Sequence, residues 1–327
     1  MNILVTGCAG FIGSNVCSRL IDEGNTVVGL DDLNDAYDVR LKTWRLDNLK
    51  LKKGFAFHHL DIRDMAALEQ CLASYQPRLS FDAIINLAAR AGVRQSVTDP
   101  WIYYQTNVIG SLNILELCRK YGINKFVLSS SSSVYGDASQ MPFKENSNTD
   151  TPLSPYAASK KAAEVLAYSY HFLYKLDVTV FRYFTVFGPA GRPDLSIFKF
   201  IKQISEGQEI TVFGDGSQTR DFTYVDDIAR GTISALKPLG YEIINLGNNR
   251  PMELNNIISI IEAQLGQKAK RKYTPPHPAD VPATWADITK AKTLLNWEPR
   301  IAVEEGIQNT ITWYKENRTW AKNVEAK

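Results

Sequence analysis

The 327-residue sequence has few of the residues that disulfide-bonded, metal-binding, nucleic-acid-binding or membrane proteins require. Its four cysteines are scattered without a CxxC pair, which argues against a disulfide framework. Its four histidines show no metal-ligand spacing, so we expect no metal. Lys and Arg number 37 against 35 Asp and Glu, and this balance favours neither a nucleic-acid nor a membrane-surface partner. The longest apolar stretches, such as Phe81–Ala89, are too short to span a bilayer.

What is present is the composition of an ordinary globular protein. Hydrophobic residues make up 44% and charged residues 22% of the chain. At about 150 residues per domain, the length predicts two domains or one large α/β unit. The apolar run Ile3–Val5 begins at once, with no targeting pattern before it, so we expect a cytoplasmic protein.

Short β-rich runs alternate with helical patterns in the first half, which is typical of a parallel, doubly wound sheet. The predicted strands are Asn2–Thr6, Thr26–Leu30, Phe55–Leu60, Ala83–Leu87, Lys125–Ser129 and Asp177–Tyr183. The predicted helices are Phe11–Glu23, Met65–Tyr75, Trp101–Tyr121 and Tyr156–Tyr174. The sequence therefore predicts an α/β protein with a Rossmann-type doubly wound parallel sheet, whose ligands bind beyond the carboxyl ends of the strands.

The alternation weakens after about Val186, which predicts a smaller C-terminal substrate-binding domain. Tyr241–Leu246 looks like a further strand of the first sheet, so we expect the chain to return there. We assign residues 1–185 and about 223–250 to the dinucleotide-binding domain, and residues 186–222 and 251–327 to the substrate-binding domain. Within the latter, Gly214-Asp215-Gly216 indicates a hairpin turn. Four prolines in residues 273–282 indicate an irregular loop.

Three glycines, Gly7, Gly10 and Gly13, lie between the first predicted strand and the first helix. Glycines there let the backbone turn tightly and approach a pyrophosphate, whose charge the helix N-terminus stabilises. The pattern is GxxGxxG, and together with Phe11 and Ile12 it predicts a dinucleotide site. The alternative is a glycine-rich turn that binds no ligand.

Asp31 ends the second strand, eighteen residues after Gly13, close to the spacing of a carboxylate that binds the adenosine ribose. A carboxylate repels a 2′-phosphate, so the predicted cofactor is NAD and not NADP. Asp61 and Ile62, at the end of the third strand, are candidates for holding the adenine.

Tyr156 and Lys160 are spaced to share one face of a predicted helix. A free tyrosine has a pKa of about 10 and is a poor base at neutral pH. A cation one helical turn away favours the phenolate and lowers that pKa, which makes the pair a candidate for acid–base catalysis. Ser131, in the serine run after the fifth strand, is placed to share a substrate hydroxyl with Tyr156.

Together these motifs resemble the extended short-chain dehydrogenase/reductase family. The resemblance is carried by the glycines, Asp31, Asp61-Ile62, Leu87-Ala88-Ala89, the serines before Val134-Tyr135-Gly136, Tyr156-x-x-x-Lys160, and the segments 182–189 and 220–227. It covers at least residues 1–230. It implies that Leu87, Ala88, Ala89 and Asn107 contact the cofactor, together with Tyr156 and Lys160.

Members of this family include nucleotide-sugar epimerases, dehydratases and decarboxylases, which all begin by oxidising sugar carbon 4. By the same resemblance, dehydratases carry an Asp-Glu pair after the catalytic serine or threonine, and decarboxylases place a Glu in this region. Ser132 and Ser133 occupy those positions here, which implies that the 4-keto sugar is reduced again, giving 4-epimerisation. A non-catalytic NAD-binding sensor of the same fold is the alternative from another class.

Two segments, residues 31–38 and 88–94, are similar to those of uronic-acid epimerases, as are Thr185 and the Gly191–Asp194 segment. The resemblance therefore implies UDP-glucuronate as substrate, with Arg192 holding the sugar carboxylate. Pairing of Arg192 with Asp194, and a UDP-glucose or UDP-N-acetylglucosamine substrate, stay open as alternatives. The other substrate-binding residues it implies are Arg94, Ser131, Ser132, Thr185, Val212, Phe213, Arg220 and Asp280. Family members are mostly dimers, which here would associate through Trp101–Tyr121 and Tyr156–Tyr174.

Overall fold

The computed structural model describes residues 1–137, 140–276 and 281–325. In chain order, its strands are β1 Asn2–Thr6, β2 Thr26–Asp31, β3 Phe55–His59, β4 Ala83–Asn86, β5 Lys125–Ser131, β6 Asp177–Tyr183, β7 Thr185–Phe187, β8 Glu209–Phe213, β9 Thr219–Tyr224, β10 Tyr241–Leu246, β11 Pro251–Glu253 and β12 Lys270–Thr274.

The helices alternate with these strands in the first half and cluster in the second. They are α1 Phe11–Asp22, α2 Val39–Lys50, α3 Met65–Tyr75, α4 Val93–Thr98, α5 Pro100–Tyr103, α6 Ser111–Tyr121, α7 Pro155–Tyr174, α8 Ser196–Ser205, α9 Val225–Ser234, α10 Leu254–Leu265, α11 Thr289–Leu295, α12 Val303–Glu316 and α13 Arg318–Ala321. A π-helical segment spans Tyr104–Gly110, and a 3₁₀ turn spans Ser132–Tyr135.

The central sheet has seven parallel strands in the order β3-β2-β1-β4-β5-β6-β10. This is the predicted Rossmann-type sheet, and β10 joins it as the segment Tyr241–Leu246 was expected to do. The strand order reverses between β1 and β4, the place where open α/β sheets bind ligands. Two small sheets, β11-β9-β7 and β12-β8, lie outside it.

Alternation along β1 shows how the core forms on both faces of the central sheet. Ile3 and Val5 are buried in one hydrophobic cluster, whereas Leu4 is buried in another. Because side chains point alternately up and down along a strand, apolar runs of this kind supply both faces at once. A third cluster, built around α8, α10 and α12, underlies the smaller sheets. The predicted domain limits are not tested by these clusters and stay a prediction.

Three local predictions are corrected. The predicted helix Trp101–Tyr121 consists of α5, the π-helical segment and α6, and the wider π turn carries Asn107. The predicted hairpin is wrong, because β8 pairs in parallel with β12 while β9 pairs with β7 and β11. The turn after β8 therefore connects one small sheet to the other, and Gly214 at its start donates its N–H to Thr274 O of β12. The predicted irregular loop begins only after Thr274, because Tyr273 and Thr274 belong to β12.

Helix α2 was not predicted from the sequence. Its buried positions include Lys42 and Arg45 among the leucines, so its buried face does not read as an apolar stripe. Its start is nevertheless marked by Asp38, whose side chain accepts a hydrogen bond from Arg40 N. None of the described helices is both long and apolar enough to cross a membrane. Nor do the described residues contain a group of three or more His, Cys, Asp or Glu that could hold a metal ion.

Candidate active site

A cavity of about 670 Å³ opens at the carboxyl ends of β1, β4 and β5. The crevice forms where the strand order reverses between β1 and β4, as in other doubly wound sheets. The predicted cofactor residues that line it are Gly7, Gly10, Phe11, Ile12, Gly13, Asp31, Asp61, Ile62, Leu87, Ala88, Ala89, Tyr156 and Lys160. The predicted substrate residues that line it are Arg94, Ser131, Ser132, Thr185, Arg192, Phe213 and Arg220. The structure therefore brings most of the predicted site together.

The turn after β1 has no room for side chains at its glycines. A Cβ on Gly13 would lie 2.0 Å from Gly7 O, and a Cβ on Gly7 would lie 2.7 Å from Ala88 N. Helix α1 begins immediately after Gly10, and no side chain caps its N-terminus. The first N–H groups of the helix and a closely packed backbone therefore meet at this point, which fits the pyrophosphate of a dinucleotide.

Asp31 lies at the end of β2 and is buried. Its carboxylate accepts hydrogen bonds from Ala9 N (3.0 Å) and Leu33 N (2.9 Å). Burial raises the pKa of Asp31, and the charge of Lys42, with Nζ 3.7 Å from Oδ1, opposes this. Asp31 and Lys42 both line the cavity, so this wall offers an acceptor and a donor side by side. Lys42 was missed from the sequence because the helix that carries it was not predicted.

Asp61 and Ile62, the residues predicted to hold the adenine, also line the cavity. Burial acts to raise the pKa of Asp61, but hydrogen bonds from Arg63 outweigh it, so the pKa is lowered. Arg63 Nε donates to Asp61 Oδ2 over 2.8 Å. The Asp61 carboxylate is thus kept ionised and can accept from a ligand amine.

Asn107 has a different place from the predicted one. Its side chain is buried, accepts from Arg90 N (2.8 Å) and donates to Arg90 O (3.0 Å) and to Ser159 Oγ (2.9 Å). It is not among the lining residues. Asn107 therefore holds the loop after β4 against α7, and the prediction of direct cofactor contact is corrected to this indirect one.

Tyr156 and Lys160 lie one turn apart near the start of α7, and both face the cavity. Burial raises the pKa of the Tyr156 phenol, against a hydrogen bond with Ser131 and the charge of Arg192. Lys160 Nζ donates to Ser129 O over 2.8 Å. The predicted trio of Tyr156, Lys160 and Ser131 therefore lines one cavity. The expected lowering of the Tyr156 pKa is wrong, because burial outweighs the opposing contributions, and the cation whose charge acts on the phenol is Arg192.

A buried ion pair stands behind this trio. Glu164, one turn after Lys160 on α7, accepts from Arg182 Nε (3.0 Å) and Arg182 Nη2 (2.8 Å) and from Ser130 Oγ (2.5 Å). The side chains of Glu164 and Arg182 are each 1% exposed. Burial lowers the pKa of Lys160 to about 8, against the charge of Glu164. The pair thus fixes α7 to β5 and β6, which positions the residues that face the cavity.

Arg192 reaches the cavity from the loop after β7. Its Nε and Nη2 donate to the two carboxylate oxygens of Asp194, over 3.1 and 2.6 Å, and Nη2 lies 3.3 Å from Ala91 O. The alternative pairing with Asp194 is therefore present in the structure. Among the described residues no acceptor meets Nη1, so the guanidinium keeps N–H groups for a ligand.

The residues predicted to bind the substrate nucleotide come from segments that are far apart in the sequence. The guanidinium of Arg94 lies over the Phe213 ring, 3.9 Å from its centroid. The prediction for Val212 is wrong: it is fully buried in the core cluster, whereas Thr211 and Phe213 line the cavity. Successive residues of a strand face opposite sides, so Val212 and Phe213 cannot both flank a base. Asp280 lies outside the described residues.

A parallel sheet with a glycine-rich first turn and a tyrosine–lysine pair facing the same crevice is the architecture of the extended short-chain dehydrogenases/reductases. The chain belongs to the family described as GDP-mannose 4,6 dehydratase, whose sequence model matches residues 4–310.

Relatives of known name share nearly the full length of the chain. It is 57% identical over 323 residues to a protein named UDP-glucuronate 4-epimerase from Thermodesulfobacterium geofontis, covering 98% of each chain. A crystal structure of UDP-glucuronic acid 4-epimerase from Bacillus cereus, in complex with UDP-glucuronic acid and NAD, matches with a TM-score of 0.89 and 37% identity. That match covers 97% of this chain and 100% of the other. A UDP-glucose 4-epimerase from Thermotoga maritima, with UDP-glucose, matches with a TM-score of 0.89 and 34% identity, over 97% and 100% of the two chains.

Proposed function

We propose that this protein is an NAD-dependent 4-epimerase that interconverts UDP-glucuronate and UDP-galacturonate. The observation that carries the proposal is that Arg192 lines the same cavity as Tyr156 and lies close enough for its charge to act on the phenol. In a uronate, the carboxylate is attached to carbon 5, next to the hydroxyl on carbon 4. A cation beside the catalytic tyrosine is therefore where a uronate needs one.

The cofactor half of the cavity suits NAD. The α1 N-terminus would hold the pyrophosphate, Asp31 with Lys42 the adenosine ribose, and Asp61 with Ile62 the adenine. Bound NAD supplies the acceptor and later the donor of the hydride at sugar carbon 4. The apolar side chains of Leu87, Ala88 and Ala89 line one side of the cavity.

The chain's own residues move the proton. Tyr156 takes the proton of the 4-hydroxyl and gives it back after the ring has turned, while Ser131 shares the same hydroxyl by hydrogen bonding. Burial raises the pKa of Tyr156 against the charge of Arg192. Lys160, one helical turn away, is a second cation that would favour the phenolate. Ser132 and Ser133 supply no carboxylic acid, so nothing at these positions can protonate a leaving hydroxyl group as in a dehydratase.

Arg192 has a second task in this proposal. The oxidised uronate is a β-keto acid, which loses carbon dioxide when its carboxylate bond aligns with the ketone π system. Two parallel hydrogen bonds from a guanidinium fix the plane and direction of a carboxylate. Arg192, with Thr185 near it in the cavity wall, would hold the carboxylate out of that alignment.

A second candidate is 4-epimerisation of a neutral sugar such as UDP-glucose. It is favoured by the Asp194 carboxylate, which already accepts two of the Arg192 N–H groups. In that case Arg192 would serve as a loop anchor and the substrate would offer it no charge.

Proton NMR of the purified protein with UDP-glucuronate, and separately with UDP-glucose, decides between the two. We expect UDP-galacturonate to form from UDP-glucuronate without added NAD, because NAD stays bound to the protein during purification. We expect UDP-galactose to form from UDP-glucose slowly or not at all. UDP-galactose as the principal product would favour the second candidate. Absence of both products with NAD supplied would contradict the proposal.

The variant Tyr156→Phe separates catalysis from mere binding. We expect a loss of turnover of about 10²–10⁴-fold, because the phenol is the only proposed proton carrier. The amount of bound NAD should not change, and its absorbance in the purified variant is the control. An NAD-binding sensor without catalysis would give no turnover in either protein.

The proposal includes a homodimer and a cytoplasmic location. Helix α7 and the segment Trp101–Tyr121 expose large apolar side chains, among them Trp101 (76%), Phe172 (61%) and Leu173 (63%). Faces of this kind commonly mark protein contacts. Sedimentation should give twice the chain mass, and Phe172→Glu should reduce the measured mass to that of the monomer.

The four thiols of the chain are free and buried, which is compatible with a reducing compartment.

A further inference from the structure

Arg45 is a buried cation that the proposed chemistry does not use. Helix α2 carries it into the core beside the glycine-rich turn, where it is 3% exposed. Its guanidinium lies 5.7 Å from the centroid of the Phe11 ring and 5.5 Å from that of the Tyr37 ring. Arg45 therefore lies behind Phe11 and Tyr37, two residues that line the cavity.

Within the part of the chain that the structure describes, the partners of this guanidinium are oxygens without formal charge. Nη1 donates to Ala9 O over 3.1 Å and to Tyr37 Oη over 2.7 Å. Nε donates to Ala190 O over 3.0 Å, and Nη2 also reaches Ala190 O. One side chain thus joins the glycine-rich turn, through Ala9, to the loop that precedes Arg192.

The backbone of that loop needs an anchor. Ala190 has φ of 50°, the left-handed region that a residue with a Cβ adopts only at a cost. The Ala190 carbonyl that accepts from Arg45 lies two residues before Arg192 in the chain. Gly191 is packed closely, because a Cβ there would lie 3.0 Å from Gly188 O and 3.7 Å from Phe11 Cζ. Fixing Ala190 O therefore fixes the point from which the Arg192 side chain starts.

A buried charge with only neutral partners is expensive, and a hydrocarbon of similar size would pack there at lower cost. Its use must therefore lie in geometry, since a planar fork can hold two separate backbone oxygens at a set distance. We infer that Arg45 is a positioning residue for uronate selectivity. It holds the Ala190–Arg192 loop in register with the glycine-rich turn, so that Arg192 meets the substrate carboxylate while carbon 4 faces the cofactor. This inference rests on the function proposed above.

The test compares the NAD-loaded protein with Arg45→Met and Arg45→Lys, using titration calorimetry with UDP-glucuronate and with UDP. The ratio of the two dissociation constants reports the contribution of the glucuronate group, in which the carboxylate is the only charged group. We expect Arg45→Met to reduce the preference for UDP-glucuronate over UDP by about tenfold, with the affinity for UDP changed less than about twofold. Arg45→Lys, which keeps the charge but not the fork, should fall between. Release of UDP-pentose during turnover of UDP-glucuronate should rise in the same order.

Arg40→Met is the matched control, because Arg40 lies on the same helix and pairs with Asp38 at the surface. Tyr37→Phe removes one acceptor and leaves Arg45 in place, so it tests the same link if Arg45→Met does not fold. A purely structural role would lower the melting temperature and weaken both ligands equally, and an unchanged ratio overturns the inference. A different outcome is that the wild-type protein fails to convert UDP-glucuronate while Arg45→Met still lowers the preference for UDP-glucuronate over UDP. That result would contradict the proposed reaction and leave the positioning role of Arg45 in place.

Discussion

The two halves of the cavity differ in the groups that line them. The wall proposed for the cofactor, made of Gly7, Gly10–Gly13, Asp31, Asp61–Ile62 and Leu87–Ala89, lies in closely packed segments at the ends of parallel strands. The substrate wall, made of Arg94, Thr185, Arg192, Phe213 and Arg220, is mostly long side chains from separate elements. Backbone packed as closely as at Gly13 cannot adjust, whereas an ion-paired or stacked arginine can exchange its partner for a ligand. Cofactor binding should thus depend on main-chain shape, and substrate choice on individual side chains.

Gly13→Ala is the change that should break the cofactor wall most completely. The added Cβ would lie 2.0 Å from Gly7 O, a distance that no rotation of a side chain relieves. We expect the purified variant to contain no bound NAD and to show no turnover, while it still binds UDP. Absorbance and calorimetry measure the two separately.

Ser14→Ala is the control, because Ser14 is the next residue of α1 and loses only a hydroxyl bonded to Phe11 O. It should keep its NAD. A Gly13→Ala protein with a full complement of NAD would show that the glycine turn is not the binding site.

Glu164→Gln should weaken both walls together. It leaves Arg182 buried beside a neutral group, and breaking a buried pair of this kind costs about 3–5 kcal/mol. Urea unfolding should show this loss, with NAD and substrate affinities reduced alike. Glu23→Gln, at an exposed pair with Arg19, is the comparison and should change stability by less than about 1 kcal/mol.

Lys160 gives a smaller, pH-dependent effect. Burial lowers its pKa from 10.5 to about 8, so between these values the unfolded chain binds more protons than the folded one. Stability relative to Lys160→Met should therefore rise with pH, by about 2 kcal/mol between pH 7 and pH 9.5. Urea unfolding of the NAD-free proteins at the two pH values measures it. A difference that stays constant with pH would mean that Lys160 keeps its ordinary pKa in the folded protein.

The same contrast explains what could be predicted from the sequence. Gly7–Gly13, Asp31 and Tyr156–Lys160 follow from local spacing on one strand, one turn or one helix, and the structure places them at one cavity. Helix α2 was missed because two of its buried positions are Lys42 and Arg45, which a hydrophobic pattern cannot reveal. The pairing of β8 with β12 and the stacking of Arg94 on Phe213 join distant segments, so no local pattern specifies them.

The variant Arg192→Met tests most directly the claim that Arg192 binds the sugar carboxylate. The measurement is the ratio of kcat/KM for UDP-glucuronate to that for UDP-glucose, by proton NMR, in the wild-type and variant proteins with NAD content checked in both. The account predicts that the ratio falls about 10²-fold, through loss of two charge-assisted hydrogen bonds, while the variant keeps its NAD. An unchanged ratio, or an equal loss on both sugars, would contradict it and leave Arg192 as the partner of Asp194 alone.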